Sequence, residues 1–149
     1  MTTKTLESTK PEDTRNLGYQ IGAKITPGSI ISLVGDLGVG KTVFTQGLAE
    51  GLGITEIVNS PTFTLIQIYE SGRLPLYHFD VYRIGDESEM DELGYEEYFY
   101  GDGVCLVEWA NLIEDLMPPE TITIEIAKDL KKGFDYRTIT ITGMVEGLE

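Results

Sequence analysis

The chain has 149 residues, of which 41% are hydrophobic and 24% are charged, a composition that excludes a disordered or fibrous protein. Its formal net charge at pH 7 is −14, and residues 84–127 contain thirteen acidic residues without one Lys or Arg. Because nucleic acids bind through clustered basic residues that displace phosphate counterions, this charge excludes a direct nucleic-acid binder and predicts basic protein surfaces as partners.

The length predicts a single domain over residues 1–149, since a chain of this size buries about two-thirds of its unfolded surface. No apolar run approaches the ~20 residues that cross a bilayer, and Met1–Lys10 lacks the apolar core of a signal peptide. The one cysteine in the sequence, Cys105, excludes an internal disulfide and lies within an apolar run. We therefore expect a cytoplasmic protein without membrane association, whose thiol is buried.

The first predicted element is a helix from Thr9 to about Lys24. Thr9 is a preferred N-cap, Pro11 is tolerated in the first turn, and Glu12 stands where a capping box needs it. Apolar residues four positions apart then give the helix one buried face: Leu17, Ile21 and Ile25. The dipeptide Pro27-Gly28 predicts the turn that ends it.

A strand, a glycine-rich loop and a second helix are predicted next. The apolar run Ile30–Val34 precedes GDLGVGKT at Gly35–Thr42, which fits the phosphate-loop pattern G-x-x-x-x-G-K-[ST]. The glycines let backbone N–H groups converge on phosphate oxygens, and the helix dipole adds positive potential there. We expect Lys41 to reach the β- and γ-phosphates and Thr42 to hold Mg²⁺. The predicted nucleotide-binding residues of this stretch are Gly35, Asp36, Leu37, Gly38, Val39, Gly40, Lys41, Thr42 and Val43.

The remaining elements alternate between strands and short helices. Strands are predicted where apolar and β-branched residues cluster or alternate: Phe63–Tyr69, Leu74–Arg83, Val104–Val107, Thr121–Ile126 and Arg137–Thr142. The first two form an antiparallel hairpin. One or two short helices are predicted in the acidic segment Gly85–Gly103, and another over Asn111–Met117. This order indicates an α/β fold: a phosphate-loop NTPase-like, three-layer domain around a mixed parallel and antiparallel sheet.

Two acidic residues stand where a magnesium ion or an attacking water would need a carboxylate. Glu108 ends the apolar run Val104–Val107, and such a strand end faces the phosphates in phosphate-loop proteins. Asp80 lies among apolar and aromatic neighbours, where an unpaired carboxylate is costly. The alternative for either acid is a salt bridge, for example to Arg83, or a surface edge position. The predicted metal ligands are Thr42, Asp80 and Glu108, and the predicted catalytic residues are Lys41, Thr62, Asp80 and Glu108.

Three other residues leave two interpretations open. Thr62 either senses the γ-phosphate, as switch loops do, or caps its own backbone in a turn. Trp109, the one Trp in the sequence, is either a core residue or a partner that stacks on the nucleotide base. His78, the one His, is favoured as structural rather than catalytic. No Asn-Lys-x-Asp guanine signature occurs in the sequence, so ATP is favoured over GTP.

Six stretches resemble, in their order and spacing, the TsaE (also called YjeE) family of small bacterial phosphate-loop ATPases. They are GDLGVGKT (Gly35–Thr42), FTQGLAEGLG (Phe44–Gly53), SPTFTL (Ser60–Leu65), HFDVYR (His78–Arg83), ELGYEEYF (Glu92–Phe99) and CLVEW (Cys105–Trp109). The resemblance implies that the segment around Ser60 and Thr62 acts as a switch loop. It also implies that Asp80 is the family's required aspartate. Glu108 and Trp109 would form a second switch, with the glutamate near Mg²⁺.

At one position the sequence departs from many members of that family. Val43 stands where they have a second Thr, so a hydroxyl near the α-phosphate is missing. We expect this change to weaken nucleotide affinity without removing the metal ligand Thr42. Contacts to adenine and ribose are expected near Pro11 and in the late loop around Lys132.

The resemblance implies a Mg²⁺-dependent ATPase of low activity. In that family, TsaE works with TsaB and TsaD, and with the enzyme that makes threonylcarbamoyl-adenylate, to install threonylcarbamoyladenosine beside the anticodon of tRNA. TsaE hydrolyses ATP while docked on the TsaB–TsaD pair and returns that pair to its starting state between turnovers. TsaE therefore contacts tRNA only indirectly, through those partners. Two alternatives stay open, a small-molecule or nucleotide kinase and a nucleotide-dependent binding module with negligible turnover. Kinase lids usually clamp the transferred phosphoryl group with arginines, and the region where a lid could be inserted, Gly85–Gly103, contains no basic residue.

Overall fold

The computed structural model describes residues 3–35, 40–58, 66–82 and 84–143. Its strands are β1 (Thr3–Ser8), β2 (Ile30–Val34), β3 (Ile66–Tyr69), β4 (Leu76–Asp80), β5 (Val104–Glu108), β6 (Ile122–Lys128) and β7 (Arg137–Thr142). Its α-helices are α1 (Pro11–Lys24), α2 (Lys41–Gly51), α3 (Ser88–Leu93) and α4 (Tyr95–Phe99). A 3₁₀ segment, Ala110–Leu116, follows β5. Within these ranges, no helix is long and apolar enough to span a membrane.

The described strands form one sheet in the order β1-β7-β6-β2-β5-β4-β3. The central strand β2 is parallel to β5 and to β6, and β4 is parallel to β5. The outer pairs β3–β4, β6–β7 and β1–β7 are antiparallel. The predicted mixed sheet is therefore confirmed. Its topology brings the carboxyl ends of β2, β4, β5 and β6 to one edge, where ligands bind in open α/β sheets.

The sheet carries a hydrophobic core on each face, because successive side chains of a strand point to opposite sides. One core joins Ile31 and Leu33 of β2 to α1 and α2. The other joins Ile30 to Phe79 of β4 and to α3, α4 and the 3₁₀ segment, through residues such as Phe99. The predicted three-layer arrangement is confirmed.

Helices α1 and α2 approach so closely that their facing residues are glycines. A Cβ at Gly18 or Gly22 would overlap backbone atoms of α2, and a Cβ at Gly47 or Gly51 would overlap backbone atoms of α1. Gly18 faces the Phe44–Leu48 turn, whereas Gly22 faces Leu48 and Gly51, so the two helices run in the same direction. The start of α1 therefore lies at the same end of the pair as the start of α2.

The start of α1 differs from the predicted capping box. The N-cap is Lys10, and it makes no side-chain capping bond. The carboxylate of Asp13, rather than that of Glu12, accepts hydrogen bonds from the backbone N–H and hydroxyl of Thr9, both at 3.0 Å. The prediction of Thr9 as cap with Glu12 was wrong by one position, since the helix begins one residue later than expected.

The other described elements occur where the sequence predicts them, although several boundaries shift, as β6 shows by spanning Ile122–Lys128 rather than Thr121–Ile126. Strand β1 was not predicted, and it pairs with β7 along its whole length. The segment expected as a helix over Asn111–Met117 is a 3₁₀ segment with a kink at Ile113, whose φ is −128° and ψ 35°. Strand β4 ends at Asp80 rather than Arg83. Residues 59–65 and Arg83 lie outside the described residues, so the predicted start of the first hairpin at Phe63 falls there too.

Candidate functional site

The candidate site begins where β2 leads toward α2. Gly40 is the N-cap of α2, and its φ of 106° is a left-handed conformation that glycine adopts without steric cost. Lys41 and Thr42 are the first two residues of the helix, and no acidic residue lies in its first turn. The first turn of a helix points its backbone N–H groups and the positive end of its dipole away from the helix, so this end of α2 suits an anion. The predicted residues Asp36–Val39 lie outside the described part of the chain.

Lys41 and Glu108 come together from two different elements. Glu108 ends β5 beside β2, and its side chain points to the face of the sheet that α2 covers. Its Oε1 lies 3.4 Å from Nζ of Lys41. Glu108 is 7% exposed, so water screens this ion pair less than it would on the surface. The structure thus brings two of the predicted catalytic residues into contact.

The second oxygen of Glu108 contacts His78. Oε2 lies 2.7 Å from Nε2 of this histidine, which is 2% exposed on β4. Burial raises the pKa of the Glu108 carboxyl, but the hydrogen bond and attraction of His78, followed by those of Lys41, outweigh it. The pKa therefore lies below its ordinary value. Glu108 is a carboxylate at neutral pH, as a metal ligand or general base must be.

Asp80 lies beside Glu108 but has a different environment. The two residues are direct partners in the parallel β4–β5 ladder. Oδ1 of Asp80 accepts a hydrogen bond of 3.1 Å from the backbone N–H of Tyr82, which fixes the turn after β4. Asp80 is half-buried, so it remains accessible at the same sheet edge. Its predicted alternative partner, Arg83, is outside the described residues.

Trp109 adopts a backbone conformation that is rare for its residue type. Its φ of 64° is the one positive φ among described residues other than glycine. Its ring lies 4.8 Å from that of Tyr82, measured between centroids, and Nζ of Lys41 lies 5.2 Å from the centroid of the Trp109 ring. The side chain is 39% exposed, so the interpretation as a core residue is not supported.

A groove of about 330 Å³ lies next to these residues. Its lining includes Lys41, Trp109 and the end of β6, Glu125–Lys128. Neither Pro11 nor Lys132 is among the described residues that line it. Nζ of Lys132 instead contacts Tyr136, at 3.5 Å from its hydroxyl. The predicted roles of Pro11 and Lys132 in nucleotide binding remain predictions.

The donor set fits a magnesium ion that shares its coordination with a phosphate ligand. Among the described residues, no group of three or more His, Cys, Asp and Glu side chains could hold a metal by itself. Mg²⁺ in nucleotide sites takes one or two protein oxygens and completes its shell with phosphate oxygens and water. Glu108, Asp80 and the exposed Thr42 are oxygen donors at or beside the start of α2, so they fit this mode.

The sequence matches one protein family over most of its length. The model of the family described as Threonylcarbamoyl adenosine biosynthesis protein TsaE matches residues 8–139. The chain belongs to the TsaE family. This confirms the resemblance that the six sequence stretches indicated.

Individual TsaE proteins and one solved structure agree with this result. The chain is 56% identical over 134 residues to the tRNA threonylcarbamoyladenosine biosynthesis protein TsaE of Bacillus subtilis (strain 168), covering 90% of this chain and 82% of that protein. It is 44% identical over 119 residues to the protein of the same name from Treponema pallidum (strain Nichols), covering 80% and 87%. A crystal structure of Bacillus subtilis YdiB matches with a TM-score of 0.82 at 47% identity, covering 95% of this chain and 86% of that one.

Two features of this TsaE chain escaped the sequence reasoning. His78 was favoured as structural, and its contact with Glu108 was not predicted. Its ring contacts the carboxylate of Glu108, which also pairs with Lys41. The end of β6 was not predicted to line the site, although Lys128 lies in the groove. A signal for the second existed, because β6 was predicted as a strand and its carboxyl end meets the same sheet edge as β2. No local signal revealed the first, since residues 78 and 108 lie on different strands.

Proposed function

We propose that this chain binds ATP with Mg²⁺ at the start of α2 and hydrolyses it slowly in tRNA threonylcarbamoyladenosine biosynthesis. The observation that carries the proposal is the 3.4 Å approach of Lys41 to Glu108 beside the groove. It joins a cation suited to phosphate oxygens with a carboxylate suited to a metal ion or a water molecule. Membership of the TsaE family supports the pathway.

The start of α2 supports binding of the triphosphate. Its backbone N–H groups and dipole favour an anion, and Lys41 adds a full positive charge. Lys41 must exchange its contact with Glu108 for the β- and γ-phosphates. The groove that Trp109 and Lys128 line offers space for the nucleoside.

Glu108 and Asp80 support hydrolysis. When bound, Mg²⁺ neutralises charge on the phosphate oxygens and orients them. Thr42 and Glu108 would hold that ion, with Asp80 beside them. A Glu108 carboxylate freed from Lys41 would accept a hydrogen bond from the attacking water. Thr62 and the segment around it are proposed to order the γ-phosphate, the role that the family resemblance implies for a switch loop there.

The partners proposed for this chain are TsaB and TsaD, with tRNA contacted only through them. The acidic residues of 84–127 favour docking on a basic protein surface. Such a partner can supply or order a cation that offsets charge on the γ-phosphate, an effect worth ~10³–10⁵ in rate. We therefore propose that hydrolysis by the chain alone is slow and rises on docking. A cytoplasmic location is part of the same proposal.

Nucleotide binding is tested by isothermal titration calorimetry with ATP and Mg²⁺. Lys41→Ala should abolish measurable binding because it removes the charge aimed at the phosphates. Lys24→Ala is the matched control, since it removes an exposed lysine at the far end of the α1–α2 pair. Wild-type affinity in Lys41→Ala would overturn the assignment of the phosphate site.

Turnover is tested separately with labelled ATP, in the presence and absence of purified TsaB and TsaD. Phosphate release to water that increases with the partners is expected. Transfer of the label to a small-molecule hydroxyl would favour the kinase alternative. Binding without release under either condition would favour a nucleotide-dependent binding module.

A further inference from the structure

His78 makes one directional polar contact in the described structure, and it is to Glu108. Nε2 lies 2.7 Å from Oε2, and both side chains are buried. In the β4–β5 ladder His78 is opposite Leu106, two positions before Glu108, so the two side chains lie on the same face. We propose that His78 is a positioning residue for Glu108, holding Oε2 so that Oε1 faces Lys41 and the phosphate site.

The division of the two carboxylate oxygens supports this role. Oε1 contacts Lys41 and Oε2 contacts His78. If Lys41 turns to a phosphate, as the proposed function requires, Oε1 loses its partner while Oε2 keeps His78. The buried carboxylate then retains one hydrogen bond and one fixed direction. His78 thereby leaves Oε1 free for a metal ion or a water.

The environment of Nδ1, the other ring nitrogen, indicates that the contact of Nε2 with Glu108 is the one that this position requires. Nδ1 is buried and has no hydrogen-bond partner within the described residues. Gln67 lies directly opposite on β3, but its Oε1 accepts a hydrogen bond from Tyr69. A buried polar nitrogen without a partner is unfavourable, so an apolar side chain would suit this core position better unless Nε2 were needed. The contact requires the proton on Nε2, where it can be donated to Glu108.

The inference rests on the proposed function, and its kinetic test compares two amides of different reach. In His78→Gln the side-chain nitrogen occupies the position of Nε2 and can still donate to Glu108. In His78→Asn the amide ends near the position of Nδ1 and cannot reach. We expect kcat for ATP hydrolysis to fall about 10- to 100-fold in His78→Asn and to stay within about threefold of wild type in His78→Gln. KM for ATP should change little in either, because α2 is untouched.

A control and a double variant separate positioning from a general loss of packing. Gln67→Leu alters the neighbouring position on the same face without touching Glu108, and its kcat should match wild type. In a Glu108→Gln background, His78→Asn should add little further loss, because the group that it orients is already changed. Equal kcat in His78→Asn and His78→Gln, or a full additional loss in the Glu108→Gln background, would overturn the inference.

A spectroscopic measurement keeps this test apart from the test of hydrolysis. Because the sequence has one histidine, the ring ¹⁵N signals of the untagged protein belong to His78. We expect a proton on Nε2, and we expect the signal of that proton to shift in Glu108→Ala. A ring without a proton on Nε2 would overturn the inference even in an active enzyme. A proton on Nε2 in a protein that never hydrolyses ATP would instead reject the proposed function alone.

Discussion

The ammonium of Lys41 lies 3.4 Å from Oε1 of Glu108, and this ion pair joins the start of α2 to the end of β5. The lysine therefore has two competing anionic partners in the proposed cycle, the carboxylate and the phosphates. Its release from one is coupled to its binding of the other. In that proposed cycle, the pair is the point at which nucleotide binding changes the environment of the predicted catalytic carboxylate.

Glu108→Gln should separate binding from turnover. The change removes the anion that competes for Lys41, so affinity for ATP without Mg²⁺ should rise a few-fold. Hydrolysis should fall at least about tenfold, since the carboxylate for the metal or water is gone. Calorimetry in EDTA and a phosphate-release assay measure the two effects. Glu114→Gln, an exposed acid on the 3₁₀ segment, is the control that should change neither. Weaker metal-free binding in Glu108→Gln would contradict the competition.

The depressed pKa of Glu108 predicts how stability depends on pH. A carboxyl whose pKa is lower in the folded protein stabilises it above the unfolded value, 4.5 for an ordinary glutamate. That contribution is lost as the pH falls through the folded pKa. The melting temperature of wild type should therefore drop more steeply than that of Glu108→Gln on acidification below about pH 4.5. Parallel melting curves from pH 7 to pH 3 would show that Glu108 has no stabilising partners in solution.

The positive φ of Trp109 predicts an unusual order of stability between two variants. Both Trp109→Gly and Trp109→Ala remove the ring and its contacts with Tyr82 and Lys41. Alanine retains the strain of a left-handed residue, ~1–2 kcal/mol, part of which is offset by the greater unfolded-state freedom of glycine. The glycine variant should therefore unfold at a higher urea concentration than the alanine variant. Its free energy of unfolding should be greater by up to about 1 kcal/mol. A more stable alanine variant would indicate that the backbone at 109 relaxes to negative φ.

The close approach of α1 and α2 predicts that Gly47→Ala destabilises the protein, although the same substitution in an exposed helix is normally stabilising. In an exposed helix, Gly→Ala stabilises by up to about 1 kcal/mol. At Gly47 the added Cβ would overlap the carbonyl oxygen of Arg15, so the helices must separate. We expect Gly47→Ala to destabilise by about 1–3 kcal/mol in denaturant unfolding. Gln46→Ala, on the same helix turn, serves as the control and should unfold as wild type does.

Much of the fold could be predicted because its elements have strong local signals. The apolar run at Ile30–Val34 is buried on both faces in the center of the sheet, and the glycine-rich loop after it separates strand from helix. Strand β1 escaped because its sequence TKTLES is polar at most positions and half-exposed at a sheet edge. Its partner β7 is more than a hundred residues away, so the pairing has no local signal.

The site was predicted in part for the same physical reason. Lys41 and Glu108 could be identified because each ends or begins an element with a strong local pattern. The contact of His78 with Glu108 depends on the register between two parallel strands, which the sequence does not encode locally. Trp109 left two interpretations because a single aromatic residue after a strand is compatible with burial or exposure. Thr62 and Asp36–Val39 remain predictions outside the described residues.

Strand β1 also determines what the sheet offers to other molecules. The neighbouring strand β7 has the sequence RTITIT, in which Thr and Ile alternate and no charged residue follows Arg137. Without residues 3–8, the outer N–H and C=O groups of that strand would be available to pair with strands of other molecules. With β1 in place, the edge instead presents Lys4 and Glu7, whose charges disfavour such pairing. A chain shortened before Thr9 should therefore precipitate on concentration through intermolecular β-sheet, visible as thioflavin T fluorescence, even if nucleotide binding survives.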